Sequence, residues 1–95
     1  MAITVVVNLQ AHDGKGNEAF EAIRKTQQYC LSLAGCTGFE VLQSQADQHR
    51  FIMIERWKSL EEHKQVLQSL MSSPDTAEVM KLFSAGPNIE YFGGQ

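Results

Sequence analysis

No hydrophobic stretch in these 95 residues approaches the roughly 18 consecutive apolar positions of a membrane-spanning helix. Basic clusters are missing as well. Eight Lys and Arg are scattered against eleven Asp and Glu, giving a net charge of -3 and a pI near 5.5. A phosphate-binding face needs the reverse balance, so neither nucleic acid nor membrane is expected as a partner. No Cys-x-x-Cys or His-x-x-x-His spacing offers a metal site, and none is expected. Cysteine itself is scarce: Cys30 and Cys36 are the only two. Met1-Ala2-Ile3 leads straight into an apolar run without a positive segment or a small-residue cleavage site, which reads as a first strand and not as a signal peptide. A cytoplasmic location and reduced thiols are therefore expected, with a disulfide the alternative that spacing leaves open. What is present, 43% hydrophobic and 20% charged residues, is ordinary for a globular chain and argues against disorder. The length suits one domain spanning residues 1–95, small enough that oligomerisation is a common remedy for a thin core.

The apolar pattern changes period along the chain. Ile3, Val5, Val7 and Leu9 alternate with Thr4, Val6, Asn8 and Gln10, the period of a strand reaching to Ala11. His12-Asp13-Gly14-Lys15-Gly16 breaks it with turn residues. A helix is expected from Asn17 as N-cap to about Leu33, with Phe20, Ile23, Cys30, Leu31 and Ala34 at helical spacing and Gln27 interrupting the stripe. Gly35 stands where a helix ends. A second strand, about Thr37 to Gln45, and a third, Arg50 to Trp57, flank the short polar loop Ala46-Asp47-Gln48 and predict a hairpin. Ser59-Leu60-Glu61-Glu62 is a capping box opening a helix to about Met71, with Leu60, His63, Leu67 and Leu70 on one face. Ser73-Pro74 restarts a helix with Thr76, Val79, Met80 and Phe83 inward, and Gly86-Pro87 stops it. Asn88 to Phe92 is the last strand.

The order strand, helix, strand, strand, helix, strand is the split βαβ, ferredoxin-like arrangement of the α+β class. It predicts a four-stranded antiparallel sheet with its helices on one face. The run Phe51-Ile52-Met53-Ile54 is apolar on both faces of its strand, so the second face needs a cover as well. In a chain this small the natural cover is a second copy of the sheet.

Several stretches are similar to those of the antibiotic biosynthesis monooxygenase family. They are Gly14-Lys15-Gly16 with Phe20; Ala34-Gly35-Cys36-Thr37-Gly38-Phe39-Glu40; Phe51-Ile52-Met53-Ile54-Glu55-Arg56-Trp57; and Ser59-Leu60-Glu61-Glu62-His63. The resemblance covers nearly the whole chain. It implies a dimeric α+β barrel, a homodimer whose two sheets pack face to face. It also implies chemistry: oxidation of a small quinol or phenolic aromatic by O2, without metal or cofactor, in a pocket between helices and sheet. Related members bind or degrade haem, and others have no known reaction. A haem-binding relative and a non-catalytic dimeric ligand-binding or stress-response module therefore stand as alternatives, because fold does not fix function.

Within that frame His63 is the candidate base, since a near-neutral imidazole on an apolar helix face can take a phenolic proton. Its structural counterpart is a buried His held by a strand group. The resemblance implies a His where this chain has Val66, one turn further along the helix. Asn8 interrupts a strand interior that disfavours Asn; the resemblance gives it a role holding a substrate oxygen or O2, and the alternative is a hydrogen bond at a sheet edge or dimer seam. Trp57, Tyr91 and Phe83 are candidate walls of the substrate pocket, or simply core aromatics. Glu55 shares the apolar face of its strand with Trp57, Met53 and Phe51, so it needs a partner, and an arginine, Arg50 or Arg24 of either subunit or one on the strand beside Arg56, is expected to supply it. Cys36 is read as packing.

Overall fold

Alternation in β1 (Ile3–Ala11) becomes a strict burial alternation, every odd residue buried and every even one half-buried. The computed structural model describes residues 2–93 and continues with α1 (Gly16–Leu31), β2 (Cys36–Gln43), β3 (Arg50–Trp57), α2 (Leu60–Met71), α3 (Pro74–Met80) and β4 (Phe83–Gly93). The four strands form one sheet in the order β2-β3-β1-β4, and every neighbouring pair is antiparallel. This is the ferredoxin-like α+β fold anticipated from the element order. In register Val5 faces Glu55, Val7 faces Met53 and Leu9 faces Phe51, so one sheet face carries the core and lies beneath the helices. The opposite face carries Val6, Ile52 and Ile54 half-buried, with Leu42 and Phe92 nearly half exposed.

Capping chemistry accounts for the helix that matters most. The Ser59 hydroxyl accepts from the Glu62 amide at 3.2 Å and donates to the Glu62 carboxylate at 3.1 Å, which fixes the start of α2 and the rotation that points His63 at the sheet. Gly35 serves this junction through size. A Cβ there would lie 3.1 Å from the Glu62 carboxyl, so the glycine makes room for the cap. Gln27, the polar break in the α1 stripe, donates to the Phe39 carbonyl at 2.8 Å and ties helix to strand.

Several boundaries differ from expectation, among them the end of α3, which stops at Met80 before Phe83. The first helix begins one residue before Asn17, with Lys15 at the cap position and no side-chain cap hydrogen bond. It ends at Leu31, and Leu31 itself is half exposed. β2 stops at Gln43 because the Ser44 hydroxyl accepts from the amides of Ala46 and Asp47, each at 3.1 Å, a local turn that competes with the strand ladder. β4 starts at Phe83, five residues before Asn88. Gly86-Pro87 lies inside that strand as a register irregularity against β1 instead of ending a helix. Gly86 has φ +97°, a conformation open to glycine, and β4 is an edge strand, where a proline costs no interior ladder bond.

Candidate active site

β3 alternates so that Phe51, Met53, Glu55 and Trp57 all point under the helices, and α2 lays His63 directly above them. Glu55 and His63 are each 4% exposed, the buried polar pair of the described residues. The Trp57 indole N–H donates to Oε1 of Glu55 at 2.9 Å. Nε2 of His63 lies 3.6 Å from the same Oε1, longer than a hydrogen bond. On the other side of the ring, Nδ1 meets the Tyr91 hydroxyl from β4 at 3.2 Å. The His63 ring stands edge-on to both Trp57 and Tyr91, with centroids 5.4 Å away in each case. One line of groups thus crosses the sheet from β3 to β4 through α2: Trp57, Glu55, His63, Tyr91.

Burial sets the protonation of this line. Loss of hydration pushes Glu55 above its ordinary carboxylate value, with the indole N–H pulling the other way. The same desolvation pushes His63 below its ordinary value, so its imidazole is neutral at neutral pH and has one lone pair. Tyr91 is raised by burial and by the nearby Glu55. Cys30, beside the pair, is pushed up to about 12 by burial, then by Glu55 and Cys36. A thiol so hard to ionise is no nucleophile. Both cysteines are free and buried.

Two adjoining cavities lie beneath the helices, and the inner one reaches this line. The outer one, about 690 Å³, lies between α1, α2, α3 and the sheet, walled by Ile23, Leu67, Val79, Leu82 and Phe83 and opening past the exposed Glu18, Glu21, Lys25 and Asp75. That volume is within the usual range for small-molecule sites. The inner one, about 70 Å³, is walled by Val7, Cys30, Val66 and Ile89 together with Glu55, Trp57 and His63. Thr26, Met53, Leu67, Leu70 and Pro87 line both, so the cavities lie end to end with those five residues as the neck. Among the described residues no three His, Cys, Asp or Glu are grouped to hold a metal, and no helix is long and apolar enough to cross a membrane.

The sequence model of antibiotic biosynthesis monooxygenase matches residues 2–81. The chain belongs to that family. Solved structures agree in fold. A Nitrosomonas europaea protein named for the same family is 18% identical with a TM-score of 0.81, covering 98% of this chain and 89% of that one. A conserved protein of Methanosarcina mazei is 20% identical, TM-score 0.81, covering 100% and 94%. A variant of SnoaB, a cofactor-independent oxygenase from Streptomyces nogalater, is 13% identical, TM-score 0.78, covering 99% and 93%. No curated protein matches in sequence.

For this member of the family, the structure separates the residues singled out from sequence. His63 and Trp57 share the inner chamber. Tyr91 reaches His63 with its hydroxyl but lines neither cavity. Phe83 walls the outer cavity alone. Asn8 is on the opposite face of the sheet, where its Oδ1 accepts from Arg50 at 3.4 Å beside Gln10 and Asn88; the sheet lies between it and His63. Within the chain, neither Arg50 nor Arg24 is the partner of Glu55. Arg50 goes to Asn8, and Arg24 stacks over Phe20 at 5.8 Å, while the Trp57 indole supplies the hydrogen bond to the carboxylate. A carboxylate at a core position is a signal in itself, and Glu55 borders the inner cavity together with Trp57 and His63. Thr26, at the neck, gave no signal beyond a polar position on an amphipathic helix.

Proposed function

We propose that this protein is a cofactor-independent monooxygenase that binds a phenolic or quinol aromatic in the outer cavity and oxidises it with O2. One observation carries the reading: a buried, neutral imidazole beside a buried carboxylate, bordering a small chamber that adjoins an apolar cavity a small molecule can fill. The family membership supports an oxygenase in general terms, and the substrate class is our own inference.

The substrate's ring system rests on the apolar walls and its hydroxyl reaches the neck. His63 Nε2, which makes no hydrogen bond to Glu55 at 3.6 Å, takes the hydroxyl proton, and Glu55 stabilises the imidazolium that forms. Trp57 orients Glu55, and Tyr91 holds the other ring nitrogen. The resulting anion passes an electron to O2. A phenol then gains one oxygen atom as a ring carbonyl, giving the quinone, and the other leaves as water with the ring hydrogen and the proton that His63 returns. A second copy of the chain covers the open sheet face, as the apolar Val6, Ile52, Ile54, Leu42 and Phe92 invite.

The test is oxygen uptake with a panel of phenols and reduced quinols. Uptake should appear with at least one of them and fall on the order of a hundredfold or more in His63→Ala. Uptake no faster than buffer across the panel, with the aromatics still bound, would leave a ligand-binding module in place of an enzyme.

A further inference from the structure

The inner chamber has a property that its wall residues conceal. Glu55, Trp57 and His63 all border it, yet the surface it presents is almost wholly apolar. The polar atoms are engaged with one another. The indole N–H is on Glu55, and the imidazole Nδ1 is on Tyr91. Among the described residues no buried side-chain nitrogen or oxygen lacks a partner. An ordered buried water needs two to four polar partners. Here the open valence is limited to His63 Nε2 and the Glu55 carboxylate, 3.6 Å apart in an otherwise apolar wall. Two partners are the bottom of that range, so a water gains little by staying. Apolar cavities of about 150 Å³ remain dry and take up xenon or benzene. At about 70 Å³ this chamber is too small for an aromatic ring and large enough for a diatomic molecule.

We propose that the inner chamber is a dry binding site for a small apolar gas, and that in the proposed reaction it holds the O2. The identity of the guest rests on the oxygenase reading; the dryness and size of the chamber do not. The placement sets the two reactants end to end, with the aromatic ring outside Met53 and Leu67, its hydroxyl in the neck toward His63, and the oxygen inside. It also puts Val66 on the chamber wall, half-buried on α2, so the volume can be reduced from a helix surface without recutting the sheet.

The experiment is methyl NMR under xenon pressure, with oxygen kinetics alongside. Xenon should produce saturable shifts at the methyls of Val7, Val66 and Ile89, which border the inner chamber alone. Val66→Phe should abolish them, and Val66→Leu, the gentler change, should weaken them. With an active substrate, Val66→Phe should raise KM for O2 about tenfold while KM for the aromatic stays within twofold. No saturable shift at those three methyls, or shifts confined to Leu9, Val79 and Leu82 of the outer cavity, overturns the chamber whatever the enzyme does. Xenon binding with an unchanged KM for O2 in Val66→Phe overturns the oxygen assignment. Xenon binding with no oxygen uptake from any aromatic overturns the oxygenase reading and upholds the chamber as a gas site.

Discussion

Trp57 donates its indole hydrogen to a carboxylate two residues earlier on its own strand, Glu55, at 2.9 Å. Side chains two apart on a strand share a face, so this bond is local and needs no long-range search during folding. It leaves the carboxylate with one strong donor and one flank toward His63. Trp57→Phe keeps most of the ring and removes the donor. The buried carboxylate then loses its main partner, at a cost of about 3 kcal/mol including the shed volume. Urea denaturation should show that loss, and in a Glu55→Leu background the same substitution should cost less than half as much. Equal losses in both backgrounds would mean that the indole acts by packing alone.

Glu55 also gives the protein a pH signature. Its folded pKa is raised by burial from an ordinary value of 4.5. Below about 4.5 both states hold the proton and the group contributes fully. As pH rises, the unfolded chain releases its proton first, so the folded state binds more protons and stability falls. Glu55→Gln cannot titrate. The melting temperature of wild type relative to Glu55→Gln should therefore decline from pH 4.5 upward until the folded carboxyl has ionised. His63, depressed from 6.5, acts oppositely: wild type should lose stability relative to His63→Gln as pH falls below 6.5. A flat difference in either comparison would contradict the buried pair.

The cysteines should be silent in the folded protein. Cys30 is 2% exposed and its pKa is pushed up to about 12, and Cys36 is 8% exposed and also raised. At pH 8 the thiolate fraction of Cys30 is on the order of one in ten thousand. A disulfide-exchange reagent should label neither thiol within minutes under native conditions and both in guanidinium. Fast native labelling of one thiol would show that its cover opens.

The fold was legible in the sequence wherever one physical signal acted alone. Strict alternation placed β1, the run Phe51 to Trp57 placed β3, and the Ser59–Glu62 box placed α2. Boundaries failed where a second force competed. The Ser44 hydroxyl captured turn amides and shortened β2, and the break at Gly86-Pro87 was absorbed by an edge strand. The site was half legible. His63 followed from helical phase and Trp57 from strand phase. Asn8, on an even position of β1, had to face away from them, and that was readable from the alternation. The choice between an arginine and the indole as the partner of Glu55 was not, because it depends on which long side chain the tertiary packing leaves free.

Two glycines separate steric from conformational demand. Gly14 and Gly86 both have positive φ, 78° and 97°. A Cβ on Gly14 meets nothing within 4 Å, while one on Gly86 would lie 2.6 Å from the Asn8 carbonyl. Gly14→Ala should cost about 1–2 kcal/mol, the backbone term alone. Gly86→Ala adds displacement of β1 backbone and should cost at least twice that by chemical denaturation. Equal costs would mean that β4 shifts freely along its edge.

The open sheet face makes the last expectation. Ile54 sits between Val6 and Glu40 on the face away from the helices, with Ile52 two residues before it on the same strand. A β-strand that is apolar on both faces leaves one of them in water unless something covers it, and the proposed second copy does so with the same surface, related by a twofold axis. Ile54→Asp places a charge at the centre of that contact and leaves the helix-facing core untouched. Sedimentation should report twice the chain mass for wild type and the single-chain mass for Ile54→Asp, with the far-ultraviolet circular dichroism unchanged. Burying an unpaired carboxylate on each side of the interface costs several kcal/mol, enough to dissociate a small dimer at micromolar concentration. Wild type sedimenting as one chain, or Ile54→Asp sedimenting with the wild-type mass, would remove the second copy from this face.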